Sequence, residues 1–155
     1  MNKKQSLPWD HPRFRSWIAV ARACQLMQQS LGRSLAELDI KTPHLDILIN
    51  LYRFEGISQQ ELARKLLVGR SNMSMLLPQM EKRGLIKRCG DDKDKRVLRL
   101  YLTPEGRSLT ERAMVIQTDL IERVLSPEPI EQCMAMASSM ERIIGVLQQD
   151  LRDED

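Results

Sequence analysis

The chain is short of the side chains on which most enzymes and metal sites depend. Its 155 residues hold two histidines, His11 and His44, and three cysteines, Cys24, Cys89 and Cys133. The cysteines are far apart and none forms a C-x-x-C pair, so neither a zinc motif nor a redox motif is spelled out. Burial as small apolar groups is the ordinary fate of such thiols. Two imidazoles and scattered serines make no catalytic triad. A nucleophile elbow, a phosphate loop and an H-E-x-x-H pair are all missing. The expectation is a protein that is not an enzyme, with no catalytic residue, no metal and no cofactor. No run approaches the ~20 apolar residues of a membrane span. The opening MNKKQSLPWDHPRF places no apolar stretch behind its lysines, as a secretory signal requires. A cytoplasmic protein with no membrane partner is therefore expected. There is no tandem repeat and no low-complexity tract.

What the chain does have is unevenly spread charge. Residues 53–104 carry 12 basic and 6 acidic groups, a net +6, whereas residues 105–155 carry 5 and 11, a net −6. A basic patch can be merely a solvated face. It points to nucleic acid when it coincides with a nucleic-acid-binding motif.

Residues 58–103 supply that motif. Ser58 and Glu61 have capping-box spacing, and Leu62, Ala63 and Leu66 follow at helical intervals. Gly69 suits a tight turn. A second helix starts near Ser71, with Met73, Leu76, Leu77 and Met80 on its core side and Gly84 past its end. Arg70, Ser71, Asn72, Ser74, Met75 and Gln79 are left pointing outward. Ser, Asn and Gln bond base edges in a major groove, and Arg makes a bidentate contact to guanine. Then come Leu85–Cys89, a charged stretch Gly90–Arg96, and Val97–Leu102. In the last, Leu98, Leu100 and Leu102 alternate with Val97, Arg99 and Tyr101, as in a half-buried strand. The layout is helix, turn, helix and hairpin: a winged helix-turn-helix.

Three motifs then fall in order. Glu81-Lys82-Arg83-Gly84-Leu85-Ile86 fits E-x-x-G-L-I, Asp91 to Arg96 lines up with D-x-R-D-x-R, and Leu102-Thr103-Pro104-Glu105-Gly106 fits L-T-x-x-G. Together they resemble the multiple-antibiotic-resistance regulator (MarR) family of transcription factors. The resemblance implies that Arg96 enters a minor groove while Asp94 orients it; a narrow minor groove concentrates negative potential. Lys93 replaces an arginine of the family pattern, keeping the charge but not the planar fork. Met75 stands where the family often has arginine. Pro78 lies inside the recognition helix and should kink it. Lys87, Arg88 and Lys95, with Arg70, are the expected phosphate partners, and Lys93 is counted with them among the DNA-binding residues.

Long helices flank this lobe. Residues 13–38 carry Phe14, Trp17, Ile18, Ala21, Cys24, Leu31 and Leu35 at helical spacing. Thr42-Pro43 starts a helix with Leu45, Leu48, Ile49 and Tyr52 inward. Thr103-Pro104 starts another, running to about Leu125, and a last one extends to Leu151 with Ile130, Met134, Met140, Ile144 and Leu147 on one flank. The expected fold is mainly α with a small β-hairpin wing. It divides into an arm and dimerisation helix over 1–38, a DNA-binding lobe over 39–103, and C-terminal dimerisation helices over 104–155. A homodimer would present two reading heads to a palindromic site on double-stranded DNA. The resemblance adds a small aromatic or phenolic effector, with Trp17, Met27, His44 and Tyr52 as candidate ligand residues. It allows an oxidant-sensing thiol at Cys24, although the family's reactive cysteine falls at the position of Ile18. The expected function is a DNA-binding repressor modulated by a small ligand. The alternatives are a thiol-based sensor of the same fold, or a winged-helix module that docks proteins.

Overall fold

Apolar residues recurring at helical spacing build nearly all of this chain. The computed structural model describes residues 7–66 and 70–153; at residues 70–72 it describes the backbone only. Helix α1 runs over Phe14–Leu35 and tightens into a 3-10 turn at Ala36–Leu38. The turn stops at Asp39, whose φ of 53° is left-handed. Helix α2 covers Thr42–Arg53, α3 Gln59–Lys65, and α4 Arg70–Lys82. Strands β1, Ile86–Gly90, and β2, Leu98–Leu102, pair antiparallel with Ile86 opposite Leu102 and Gly90 opposite Leu98. Helices α5, Pro104–Leu125, and α6, Ile130–Arg152, complete the chain. Two compact units result, Met1–Gln117 and Thr118–Asp155.

The first unit owns a continuous core. Leu35 from α1, Leu45, Ile47, Leu48 and Leu51 from α2, Leu62 from α3, Leu77 and Met80 from α4, and Leu100 from β2 are all at most 2% exposed. The spacing of Met73, Leu77 and Met80 turns one side of α4 into this core. Helix α4 continues through Pro78, which lies on its exposed side. A proline brings no N–H to the ladder, and that loss is cheapest on a face open to water.

Local chemistry sets most boundaries. Ser58 Oγ accepts the Glu61 N–H at 3.1 Å and the Glu61 carboxylate accepts the Ser58 N–H at 3.1 Å, a complete capping box. At the start of α2 the expected cap moves by one residue. Lys41, not Thr42, is the N-cap, and its N–H is taken by His44 Nδ1 at 2.9 Å. Proline is tolerated anywhere in the first turn, so Thr42-Pro43 locates the helix start only to within a residue. Gly84 ends α4 with φ 73°. There Leu85 N–H reaches the Met80 carbonyl and Gly84 N–H the Glu81 carbonyl, both at 3.0 Å, the Schellman pairing.

Helix α6, in the second unit, has no buried residue. Among the described residues no helix is long and apolar enough to cross a membrane.

Candidate nucleic-acid interface

The interface begins with the way the hairpin is fixed. β2 does more than pair with β1. Gly56 N–H reaches the Leu100 carbonyl at 3.0 Å, and Leu100 N–H reaches the Ile57 carbonyl at 2.9 Å. An isolated bridge joins Ser58 to Arg99. The segment before α3 therefore acts as a short third strand and fastens the wing to the helical lobe.

Arg99 adds a side-chain fastening. Its Nε donates to Asp91 Oδ1 at 2.7 Å and its Nη1 to the Gly56 carbonyl at 2.9 Å. The other Asp91 oxygen accepts the N–H groups of Lys93 and Asp94. The Arg99 guanidinium, first, and those two N–H groups hold the Asp91 carboxyl below its usual pKa. Alternation in the sequence marks Arg99 only as a strand residue facing away from Leu98 and Leu100. Its reach to Gly56, 43 residues back, carries no local signal.

At the tip, Arg96 and Asp94 form a two-point pair, with Nε to Oδ1 at 3.0 Å and Nη2 to Oδ2 at 3.1 Å. The Arg96 side chain is 91% exposed. The pair holds the planar fork away from the protein surface, and the guanidinium lowers the Asp94 pKa. Lys93 and Lys95 are exposed beside it, as is Lys87 on β1. Arg88, expected among the phosphate partners, turns onto Glu81 with both contacts at 3.2 Å. This ties β1 to the last turn of α4.

On α4, Ser74, Met75 and Gln79 are exposed, as is Pro78. The side chains of Arg70, Ser71 and Asn72 and the turn at Gly69 lie outside the described residues. One open groove of about 390 Å³ joins the two halves of the interface. It is lined by Ser58, Gln59 and Ala63 at α3, Met73 and Ser74 on α4, and Arg96 to Leu98 on the wing. Gln59 Oε1, missed in the sequence, is buried there with no hydrogen-bond partner in the described chain. Helix α4 and the wing thus flank one concave surface, in which Arg96 is the charged lining residue.

The candidate effector residues do not converge in the same way. Trp17 and Met27 are 67% and 52% exposed on α1, ten residues and so about 15 Å apart along its axis. His44 is buried at the start of α2. Tyr52 donates to Glu111 at 3.0 Å and carries the Arg107 guanidinium 4.8 Å over its ring. The groove just described is lined by none of the four, and neither is a second one of about 620 Å³ around Phe54, Lys65 and Arg99. Cys24 and Cys89 are exposed free thiols and Cys133 is half-buried, so the expectation of three buried cysteines fails. The described residues contain no cluster of His, Cys, Asp and Glu able to hold a metal ion.

A model of the MarR family matches residues 38–97, the span from the 3-10 turn before α2 to the wing. The transcriptional regulator HosA of Escherichia coli O111:H- is 31% identical over 102 residues, 65% of this chain and 76% of that one. The chain belongs to the MarR family. Solved structures agree on the fold of this MarR-family regulator. MepR of S. aureus, in a complex with DNA, superposes with a TM-score of 0.76 at 24% identity over 83% of this chain and 95% of its own. CouR from Rhodococcus jostii RHA1, bound to p-coumaroyl-CoA, gives 0.75 at 21% identity over 90% and 95%. MarR-family proteins are transcriptional regulators and not enzymes.

Proposed function

We propose that this MarR-family regulator is a repressor that grips a palindromic duplex as a homodimer and releases it when a small ligand binds. The observation that carries the reading is the shared groove, with the outward face of α4 on one side and the exposed, carboxylate-braced Arg96 on the other. A polar helix face beside a cationic finger suits the donors and acceptors of a major groove and the negative potential of the minor groove beside it. Ser74 and Gln79, with Arg70, Ser71 and Asn72, are the base-edge readers, and Lys87, Lys93 and Lys95 are the phosphate contacts. That MepR was solved with DNA supports the reading.

Dimerisation is supported by uncovered apolar surface. On α6, Ile130, Met134, Ile144, Leu147 and Leu151 are 46–67% exposed. A helix of this kind is covered by a partner in a folded protein, and a second copy would place two heads ~10 base pairs apart. Trp17 and Met27 remain as effector contacts on α1, because His44 Nδ1 and the Tyr52 hydroxyl are already engaged by Lys41 and Glu111. The CouR complex with p-coumaroyl-CoA supports a small aromatic effector.

A gel-shift titration on the promoter beside the protein's own gene, at several salt concentrations, tests the proposal. Binding should be sequence-preferring and weaken steeply with salt. Arg96→Ala should bind at least tenfold more weakly. Equal affinity of that variant would remove the wing from the interface, and equal affinity for unrelated duplexes would remove the regulator reading.

A further inference from the structure

We infer that Met75 selects thymine, by packing its thioether against the C5-methyl group in the major groove; this rests on the DNA-reading role proposed above. Met75 is 63% exposed. It is not a core residue that strayed, since Met73, Leu77 and Met80 already fill the buried side of α4. It is also remote in sequence from the exposed apolar residues of α1 and α6. It lies instead on the outward side of the reading helix with Ser74, Pro78 and Gln79, and its neighbour Ser74 lines the groove that the exposed Arg96 also lines.

The chemistry of the side chain narrows what it can read. Methionine has no donor and only a weak acceptor, so it cannot reproduce the two-point contact that arginine makes to guanine. Pressed against guanine or the amino group of cytosine, it would strip water from a polar edge and return no hydrogen bond. The thymine methyl is the one apolar group that base edges present in the major groove. Pro78, three residues on and about 4.5 Å further along the axis, adds a ring that also lacks a donor. The apolar surface therefore spans roughly one turn of α4. The unbranched methionine chain can follow a methyl group without a fixed rotamer.

Removing the methyl group from DNA tests this without touching the protein. The 155-residue chain is first used to select bound duplexes from a random library. The selected site is then rebuilt with deoxyuridine replacing each thymine in turn. At one thymine per half-site the unaltered chain should lose about three- to fivefold in affinity, the value of one buried methyl. Met75→Ala should bind the thymine and deoxyuridine duplexes equally at that position, and Met75→Leu should restore the preference. Indifference of the unaltered chain to every replacement overturns the inference while leaving DNA binding intact. So does a preference that survives in Met75→Ala. Failure to select any duplex overturns the DNA-reading role, and the inference with it.

Discussion

Gly106 is a residue whose value lies in lacking a side chain. A Cβ there would collide with the Leu85 carbonyl, so the start of α5 can lie against the end of α4 only with glycine at that point. His44 is the opposite case, a side chain whose work depends on its charge. Its Nδ1 accepts the Lys41 N–H, which an imidazolium cannot do. Burial, then the cations Arg83 and Lys41, lower its pKa from 6.5, against the opposing pull of Asp39. Folding therefore favours the neutral ring, and the unfolded chain binds the proton more readily. The stability this contributes is present in full above about pH 6.5 and is lost as the pH falls from there through the lowered native value. Urea midpoints at pH 7.5 and 5.5 should show a drop on acidification that His44→Asn, which keeps an acceptor without titrating, largely removes. An equal drop in the variant would assign the effect to other groups.

Among the elements, α3 depends most on its ends. Seven residues are too few to hold a helix on propensity alone, so the Ser58–Glu61 box and the packing of Leu62 must do so. Ser58→Ala should cost about 1 kcal/mol, read as a lower urea midpoint with an unchanged slope; an unshifted midpoint would show that the cap is dispensable. The same element shows what a sequence can reveal. The Ser58–Glu61 box, the glycine after α4 and the alternation in β2 are local, and each led to the right element. The bracing of the wing was hidden because Arg99 reaches Gly56, and Arg88 reaches Glu81, through space. A guanidinium that looks available for phosphate in the sequence can be spent on a carboxylate brought alongside by folding. Trp17, read from its spacing as part of an apolar stripe on α1, is 67% exposed: periodicity says that a helix has an apolar side, not whether its own chain covers it.

For the whole molecule, the test of assembly is a charge on the uncovered side of α6. Leu147, 46% exposed, contributes nothing to the core of its own chain, so Leu147→Glu should leave helix content intact. Sedimentation should then show a monomer for the variant and a dimer for the unaltered chain, with weakened binding of the variant to a two-half-site duplex. A variant that still sediments as a dimer would move the interface elsewhere. A last property follows from the join between α4 and α5. Thr103 N–H is held by the Leu85 carbonyl at 3.0 Å, and the Thr103 hydroxyl donates to the Gly84 carbonyl at 2.6 Å while accepting the Gly106 N–H at 3.0 Å. No pliable joint separates the two helices there. The first turn of α5 is thereby tied to the residues that end α4, so the two should turn together rather than independently. One residue gained or lost in that first turn would put them out of phase by about 100°.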